Sequence, residues 1–166
     1  MAFSRYAFAF VALFLLAACS PLGIYNSIIP KDSGVTVAAS GVAYGSDPRQ
    51  RLDVYRPEGA SRGIVVFVYG GSWSSGARGD YSFVGNAFAA QGYTTVIPDY
   101  RLVPQVRYPA FVEDTAKAVA WAYRNAATFD SDPRRLFVAG HSAGAYNAMM
   151  VALAPEFLRA EGLSPR

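Results

Sequence analysis

The sequence predicts the α/β class: a three-layer α/β sandwich around a mostly parallel sheet. Three observations lead to this prediction. Apolar, β-branched runs of four to seven residues indicate strands buried on both faces. Apolar residues at helical spacing lie between these runs, and the two kinds of segment alternate along the chain. A length of 166 residues allows one domain, and 52% apolar against 16% charged residues excludes a disordered chain.

The N-terminus has the pattern of a secretory signal. One positive charge, Arg5, precedes an apolar run from Ala7 to Ala18, which is too short to span a bilayer because that takes roughly 20 residues. The run ends in Leu16-Ala17-Ala18-Cys19, which resembles the lipobox of bacterial lipoproteins. That resemblance implies cleavage before Cys19, the only cysteine of the chain, and lipid on it.

We therefore expect residues 1–18 to be a lipoprotein signal peptide and the protein to be exported and lipid-anchored in the bacterial cell envelope. Because Ser20 and not Asp follows the cysteine, the same resemblance implies the outer membrane of a two-membrane bacterium. Two alternatives remain open, namely an ordinary signal peptide with a chance cysteine and a buried N-terminal helix.

The next segments lead into the domain. Residues 19–34 contain two Pro, two Gly and three Ser, which predicts a tether without regular structure before a domain over 35–166. Strands are then predicted at Val35–Tyr44 and Arg51–Tyr55, with a turn at Gly45–Pro48 that makes them an antiparallel hairpin.

Strands and helices alternate in the rest of the chain. Buried strands are predicted at three places: Gly63–Tyr69, Tyr93–Ile97 and Leu136–Ala139. Helices are predicted between and after them: Asp80–Gln91, one that begins at Tyr108-Pro109 with an apolar stripe of Val112, Ala116, Val119, Tyr123 and Ala126, and Ala143–Ala154. We expect Asp80 to cap the first of these helices. The last one should be deeply buried in an intact fold, and its apolar surface should face water where the C-terminal strands are missing.

The strongest chemical motif is Gly140-His141-Ser142-Ala143-Gly144, directly after a predicted strand and before a predicted helix. This is the place of a nucleophile elbow, in which flanking glycines permit a sharp turn that exposes the serine hydroxyl. The alternative is a glycine-rich turn without a catalytic role.

A second motif, Tyr69-Gly70-Gly71-Ser72-Trp73, also follows a buried strand. Acyl transfer needs backbone N–H groups aimed at the developing oxyanion, and paired glycines let the backbone approach the reacting carbon. We expect Gly70, Gly71 and Ala143, the residue after the serine, to donate these N–H groups. A plain turn is the alternative.

Together with Pro98-Asp99-Tyr100-Arg101-Leu102 and the stretch from Tyr108 to Asp114, these motifs resemble the α/β-hydrolase carboxylesterases. The resemblance is strongest to the hormone-sensitive-lipase-like and feruloyl-esterase-like members and covers about residues 35–155. It implies an α/β-hydrolase fold, a small-molecule ester as substrate, an acyl-enzyme on Ser142, and neither cofactor nor metal.

Three positions qualify the resemblance. Tyr69 stands where the family usually has His, which changes how the loop is braced. Asp99 and Asp114 match family positions that look structural and not catalytic. His141, the only histidine of the chain, adjoins the nucleophile and is expected to brace or pack, because it cannot both deprotonate Ser142 and meet a carboxylate.

In the family the triad runs Ser, acid, His along the chain, yet neither His nor Asp follows Ser142 here. We therefore expect the chain to be the N-terminal portion of an esterase whose C-terminal strands are missing. Such a chain would be inactive alone and would not be a stable soluble monomer.

Other functions stay open or are excluded. A non-catalytic, lipid-anchored binding protein with a partial hydrolase fold is one alternative, and an amidase or arylformamidase of the same fold is another. A net charge of +3 is too small and too scattered for nucleic-acid binding, and one Cys with one His cannot build a metal site of those ligands.

Overall fold

The structure is a computed structural model that describes residues 21–164. The predicted signal peptide and Cys19 lie outside these residues. Within residues 21–164, five strands form one sheet: β1 (Val35–Ala43), β2 (Arg51–Pro57), β3 (Ile64–Val68), β4 (Thr94–Pro98) and β5 (Leu136–Gly140). The same residues form five α-helices: α1 (Pro21–Ile28), α2 (Ser82–Ala90), α3 (Ala110–Arg124), α4 (Ala143–Leu153) and α5 (Pro155–Ala160).

The sheet has the order β1-β2-β4-β3-β5. The predicted hairpin of β1 and β2 is antiparallel, and β2 is also antiparallel to β4. β3 lies between β4 and β5 and is parallel to both. The parallel half of the sheet therefore consists of the three strands predicted from buried apolar runs.

The helices and the sheet form the predicted three-layer α/β sandwich. Helix α2 packs on β2 and β4, whereas α3 and α4 pack on each other and on β3. Every residue of β3 and β4 is buried. Helices pack on both faces of these strands, and neither face is therefore in contact with water.

Residues 19–34 are not without regular structure, contrary to the prediction, because α1 occupies part of them. The Asn26 side chain holds α1 on the domain: its Oδ1 accepts the Phe83 N–H at 2.9 Å, and its Nδ2 donates to the Gly79 carbonyl at 3.0 Å. These contacts span more than fifty residues of sequence, so the local Pro and Gly content did not reveal them.

The predicted cap of α2 is also wrong. A 3-10 turn over Arg78–Tyr81 precedes the helix, and Asp80 accepts the N–H of Ala77 inside this turn. The oxygen that accepts the N–H of Phe83, in the first turn of α2, is Asn26 Oδ1 from α1. The first turn of α2 is thus satisfied by a distant segment and not by a local side chain.

Two elements that would be buried in an intact α/β-hydrolase are half-exposed in residues 21–164, as expected for a sheet without its C-terminal strands. β5 pairs only with β3 within residues 21–164, and the Phe137 side chain on it is 51% exposed. On α4, Met149 and Leu153 are 60% and 73% exposed. Tyr123, predicted for the apolar stripe of α3, is 42% exposed, whereas Val112, Ala116 and the rest of that stripe are buried. No helix within residues 21–164 has both the length and the apolarity of a membrane span.

Candidate active site

Ser142 occupies a sharp, strained turn between β5 and α4. Its backbone has φ 51° and ψ −121°, in the positive-φ range that residues other than glycine rarely adopt. Such a conformation costs about 1–3 kcal/mol and persists where the surroundings impose it. The N–H of His141 donates to the Val68 carbonyl at 3.0 Å, which fixes the turn to the end of β3. Ser142 itself is exposed.

The glycines beside the turn are required by space. A Cβ on Gly144 would lie 2.1 Å from the Val68 carbonyl oxygen and 2.4 Å from that of Tyr69. A Cβ on Gly140 would lie 2.5 Å from the carbonyl group of Gly144. Helix α4 can approach β3 this closely only because Gly144 lacks a side chain, and it can follow β5 this tightly only because Gly140 does. This is the geometry predicted for a nucleophile elbow.

The predicted oxyanion loop lies against the elbow. A Cβ on Gly70 would be 3.0 Å from the Ser142 Cβ and 2.9 Å from the His141 carbonyl oxygen. Gly71 has φ +131°, and Ser72 and Trp73 follow with φ 53° and 56°. The loop therefore turns tightly at the residues where the sequence predicts N–H donors, and it passes beside the serine.

The three predicted donors differ in what engages them. The Ala143 N–H is in the first turn of α4, where no intrahelical acceptor exists and the helix dipole favours negative charge. The Gly70 backbone lies near the Tyr81 hydroxyl and lowers the pKa of Tyr81, against the larger effect of burial. The assignment of the Gly70, Gly71 and Ala143 N–H groups to an oxyanion stays a prediction. Of the three, the Ala143 N–H is the one that lies at a helix N-terminus.

Tyr81 joins the two halves of the site. Its hydroxyl lies 2.9 Å from His141 Nδ1, on the elbow, and interacts with Gly70 on the loop. The side chain is 4% exposed and packs on Phe67 and Phe83. Burial raises the pKa of Tyr81, so the hydroxyl stays protonated. The ring of His141 is thus held by Tyr81, in agreement with the predicted bracing role.

Tyr69, at the position of the usual His, braces the loop through Arg49. The Arg49 guanidinium donates to the Tyr69 hydroxyl at 2.7 Å, to the Gly76 carbonyl at 3.0 Å and to the Tyr100 carbonyl at 2.8 Å. Tyr69 is fully buried and stacks on Tyr100 with ring centroids 4.8 Å apart. Burial raises the pKa of Tyr69 far above its ordinary value, so it acts as a neutral hydrogen-bonding group.

Trp73 ties the end of the loop to the helix behind the serine. Its Nε1 donates to the Asn147 side chain on α4 at 2.9 Å, and its ring stacks on Phe111 with centroids 5.4 Å apart. Asn147 is fully buried. The loop is therefore fixed at both ends, by Tyr69 before the glycines and by Trp73 after them.

The two aspartates have structural contacts, as predicted. Asp99 accepts from the backbone N–H of Arg78 at 2.7 Å and is ion-paired with the Arg78 guanidinium. Asp114, 1% exposed, accepts from Gln50 at 2.7 Å and from the Arg101 guanidinium and backbone. The hydrogen bonds that the Arg101 guanidinium donates to Asp114 raise the pKa of Arg101. Each carboxylate is occupied by partners that hold a loop.

Sequence reasoning missed Tyr81, Arg49 and Asn147. Each makes its contacts across 20 to 74 residues of sequence, and none stands in a motif. Elsewhere, a cavity of about 540 Å³ lies beside Leu136, at the opposite end of β5 from the elbow. Residues 21–164 contain no group of three or more His, Cys, Asp or Glu placed to hold a metal.

Residues 52–162 match the model of the BD-FAE family. The chain is 37% identical over 116 residues to esterase LipC of Mycobacterium tuberculosis, which covers 68% of this chain and 29% of that protein. It is 34% identical over 127 residues to isoprenylcysteine alpha-carbonyl methylesterase ICME of Arabidopsis thaliana, covering 74% of this chain and 30% of that protein.

Solved esterase structures have the same fold. Esterase B from Lactobacillus rhamnosis superimposes with a TM-score of 0.78 at 24% identity, over 99% of this chain and 54% of that one. A bacterial heroin esterase has a TM-score of 0.72 at 25% identity, over 87% and 45%. The chain thus spans less than a third of the length of these curated relatives and about half of these solved structures.

Proposed function

Because the chain belongs to the BD-FAE family, we propose that the full-length gene product containing it is a serine carboxylesterase with Ser142 as nucleophile. The observation that carries the proposal is the strained turn at Ser142 beside the Gly70-Gly71 loop. Strain of this kind costs stability, and strained residues cluster at active sites. Esterase relatives support the same class of reaction.

The proposed reaction proceeds through an acyl-enzyme. The Ser142 oxygen attacks the ester carbonyl, a base takes its proton, and the N–H groups of Gly70, Gly71 and Ala143 bind the oxyanion. The alkoxide leaves as an alcohol with that proton, and water then releases the acid from Ser142. Because the oxyanion lies at the N-terminus of α4, the helix dipole adds to its stabilisation.

His141 is not the proposed base. It is the only histidine of the 166 residues, and its Nδ1 is engaged with Tyr81. An unactivated serine is a weak nucleophile. We propose that a base outside this sequence activates Ser142 and that the 166 residues alone do not hydrolyse esters by a triad.

The test is hydrolysis of short-chain p-nitrophenyl esters by the full-length gene product. Ser142→Ala should lower kcat by at least ~10³, because only binding and the oxyanion hole then remain. Ser46→Ala removes an exposed hydroxyl from a turn and should leave the rate unchanged. Turnover of anilides or N-formyl amines in place of esters would assign the protein to the amidases, and no turnover would favour a binding role.

We also propose that Cys19 carries lipid and anchors the protein in the cell envelope, in the outer membrane where there are two. The support is the apolar run that ends in Leu16-Ala17-Ala18-Cys19. Cys19→Ala should leave the precursor at its full mass and block labelling by a clickable fatty acid. Labelling that survives this substitution would contradict the proposal, and Ser20→Ala should keep both cleavage and labelling.

A further inference from the structure

Helix α1 exposes a cluster of large apolar side chains. The cluster, called the α1 patch below, consists of Leu22, Ile24, Tyr25 and Ile28, which are 36%, 42%, 47% and 73% exposed. Within residues 21–164, eleven large hydrophobic side chains are exposed, and four of them belong to this one helix of eight residues. The helix contains no charged residue.

The patch is exposed although the helix is firmly docked. Asn26 accepts from the Ser82 hydroxyl at 2.7 Å and from the Phe83 N–H at 2.9 Å. The Tyr25 ring meets the Phe83 ring edge-on with centroids 5.3 Å apart. A surface helix ordinarily turns its apolar side inward and its polar side to water. Here a polar side chain makes the inward contacts, while Ile24 and Ile28, one turn apart, face outward.

The position of Cys19 indicates what covers the patch. Only Ser20 separates Cys19 from Pro21, the first residue of α1. The Cα atoms of Cys19 and Pro21 can therefore be at most roughly 7 Å apart, the length of the fully extended chain between them. Lipid on Cys19 would therefore hold α1 at the surface of the bilayer. An uncharged helix with exposed isoleucines is suited to the boundary between headgroups and acyl chains.

We propose that the α1 patch inserts into the membrane surface and that the site beside it takes ester substrates residing in that surface. The proposal rests on the proposed lipid anchor and esterase activity. Successive ring contacts connect the patch to the elbow: Tyr25 with Phe83 at 5.3 Å, Phe83 with Tyr81 at 6.0 Å and Tyr81 with His141 at 6.0 Å. The insertion of α1 would thus bring Ser142 close to the lipid.

The depth of the patch can be measured in the lipidated full-length protein. A nitroxide label is attached to Ile28→Cys. Cys19 is the only cysteine of the 166 residues and its sulfur carries lipid, so it does not react, and any cysteine outside these residues is first replaced with serine. The control is Ala160→Cys, exposed at the end of α5. In vesicles of phosphatidylethanolamine and phosphatidylglycerol, the label at 28 should collide more with oxygen than with a water-soluble nickel chelate, and the label at 160 should do the reverse.

Equal access of the nickel chelate to the two labels would overturn the proposal. Mass spectrometry of the same sample shows whether Cys19 carries lipid, so failure of the anchor is distinguished from failure of insertion. A missing lipid would contradict the anchor and the insertion together. If labels at position 28 on two molecules contact each other, and the nickel chelate cannot reach them in the absence of vesicles, then a second copy of the chain covers the patch and the proposal is wrong.

A second measurement tests the substrate class. Ile24→Ser with Ile28→Ser should lower hydrolysis of an ester embedded in vesicles by about tenfold or more, since burying one such side chain in an apolar phase is worth more than a factor of ten. Hydrolysis of a dissolved short-chain ester should stay unchanged. An equal loss on both esters, or no loss on the embedded one, would refute the proposal. If neither ester is hydrolysed by the unsubstituted protein, the proposed esterase activity itself fails.

Discussion

Replacing Gly144 with alanine should separate the nucleophile elbow from the oxyanion loop. The added Cβ would lie 2.1 Å from the Val68 carbonyl oxygen, whereas ordinary contact begins at 3.4 Å. Strand and helix must therefore move apart by roughly 1 Å, and neither Val68 nor Tyr69 can rotate away, because the contacted atoms are backbone. Overpacking of this kind costs about 1–3 kcal/mol or more. A misplacement of about 1 Å at a catalytic group lowers the rate roughly 10²-fold.

The assay combines urea unfolding with kcat/KM in the full-length gene product. Gly59→Ala is the matched control, because a Cβ at Gly59 has nothing within 4 Å and the backbone there has no positive φ. This control should be neutral or slightly stabilising, by at most about 1 kcal/mol. If Gly144→Ala has nearly the same free energy of unfolding and the same kcat/KM as Gly59→Ala, then α4 and β3 are not too close for a side chain at position 144, and the reasoning is refuted.

Three further predictions follow from the same site. Ser142→Gly should be more stable to urea than Ser142→Ala by about 1 kcal/mol, because glycine relieves the positive φ and both variants lack the hydroxyl; equal stability would mean that the turn is unstrained. Tyr81→Phe keeps the buried ring but loses the hydroxyl that joins loop and elbow, so kcat should fall about tenfold with KM nearly constant, while Tyr123→Phe on the exposed side of α3 should change neither. Burial raises the pKa of Tyr55 to about 12, so the folded protein keeps a proton that the unfolded chain releases near pH 10. The contribution of Tyr55 to the free energy of unfolding should be constant below pH 10 and be lost between pH 10 and about 12, so the free energy of unfolding should fall less steeply in this range in Tyr55→Phe.

Features of the site that depend on neighbouring residues were predictable from the sequence. The elbow at Ser142 and the loop at Gly70-Gly71 each follow a buried strand directly, and the carboxyl ends of parallel strands meet at one edge of a sheet. The predicted strands and the antiparallel hairpin were confirmed for the same reason. Apolar period and turn residues are local signals, and these elements depend on little else.

Features that depend on distant contacts were not predictable. Helix α1 forms in a segment rich in Pro and Gly because Asn26 bonds to residues more than fifty positions away. Tyr81 reaches His141 across 60 residues. The run that forms β5 has the apolar composition of a buried strand, and its place at the sheet edge was expected from the resemblance to the α/β-hydrolases and not from its own residues. Neither composition nor periodicity carries such information.

The central claim is that Ser142 is an activated nucleophile at a strained elbow. The most direct measurement treats the full-length gene product with a fluorophosphonate and locates the adduct by peptide mass spectrometry. We expect one adduct on Ser142 and no labelling of Ser142→Ala. An adduct on another serine, or labelling that persists in Ser142→Ala, would contradict it.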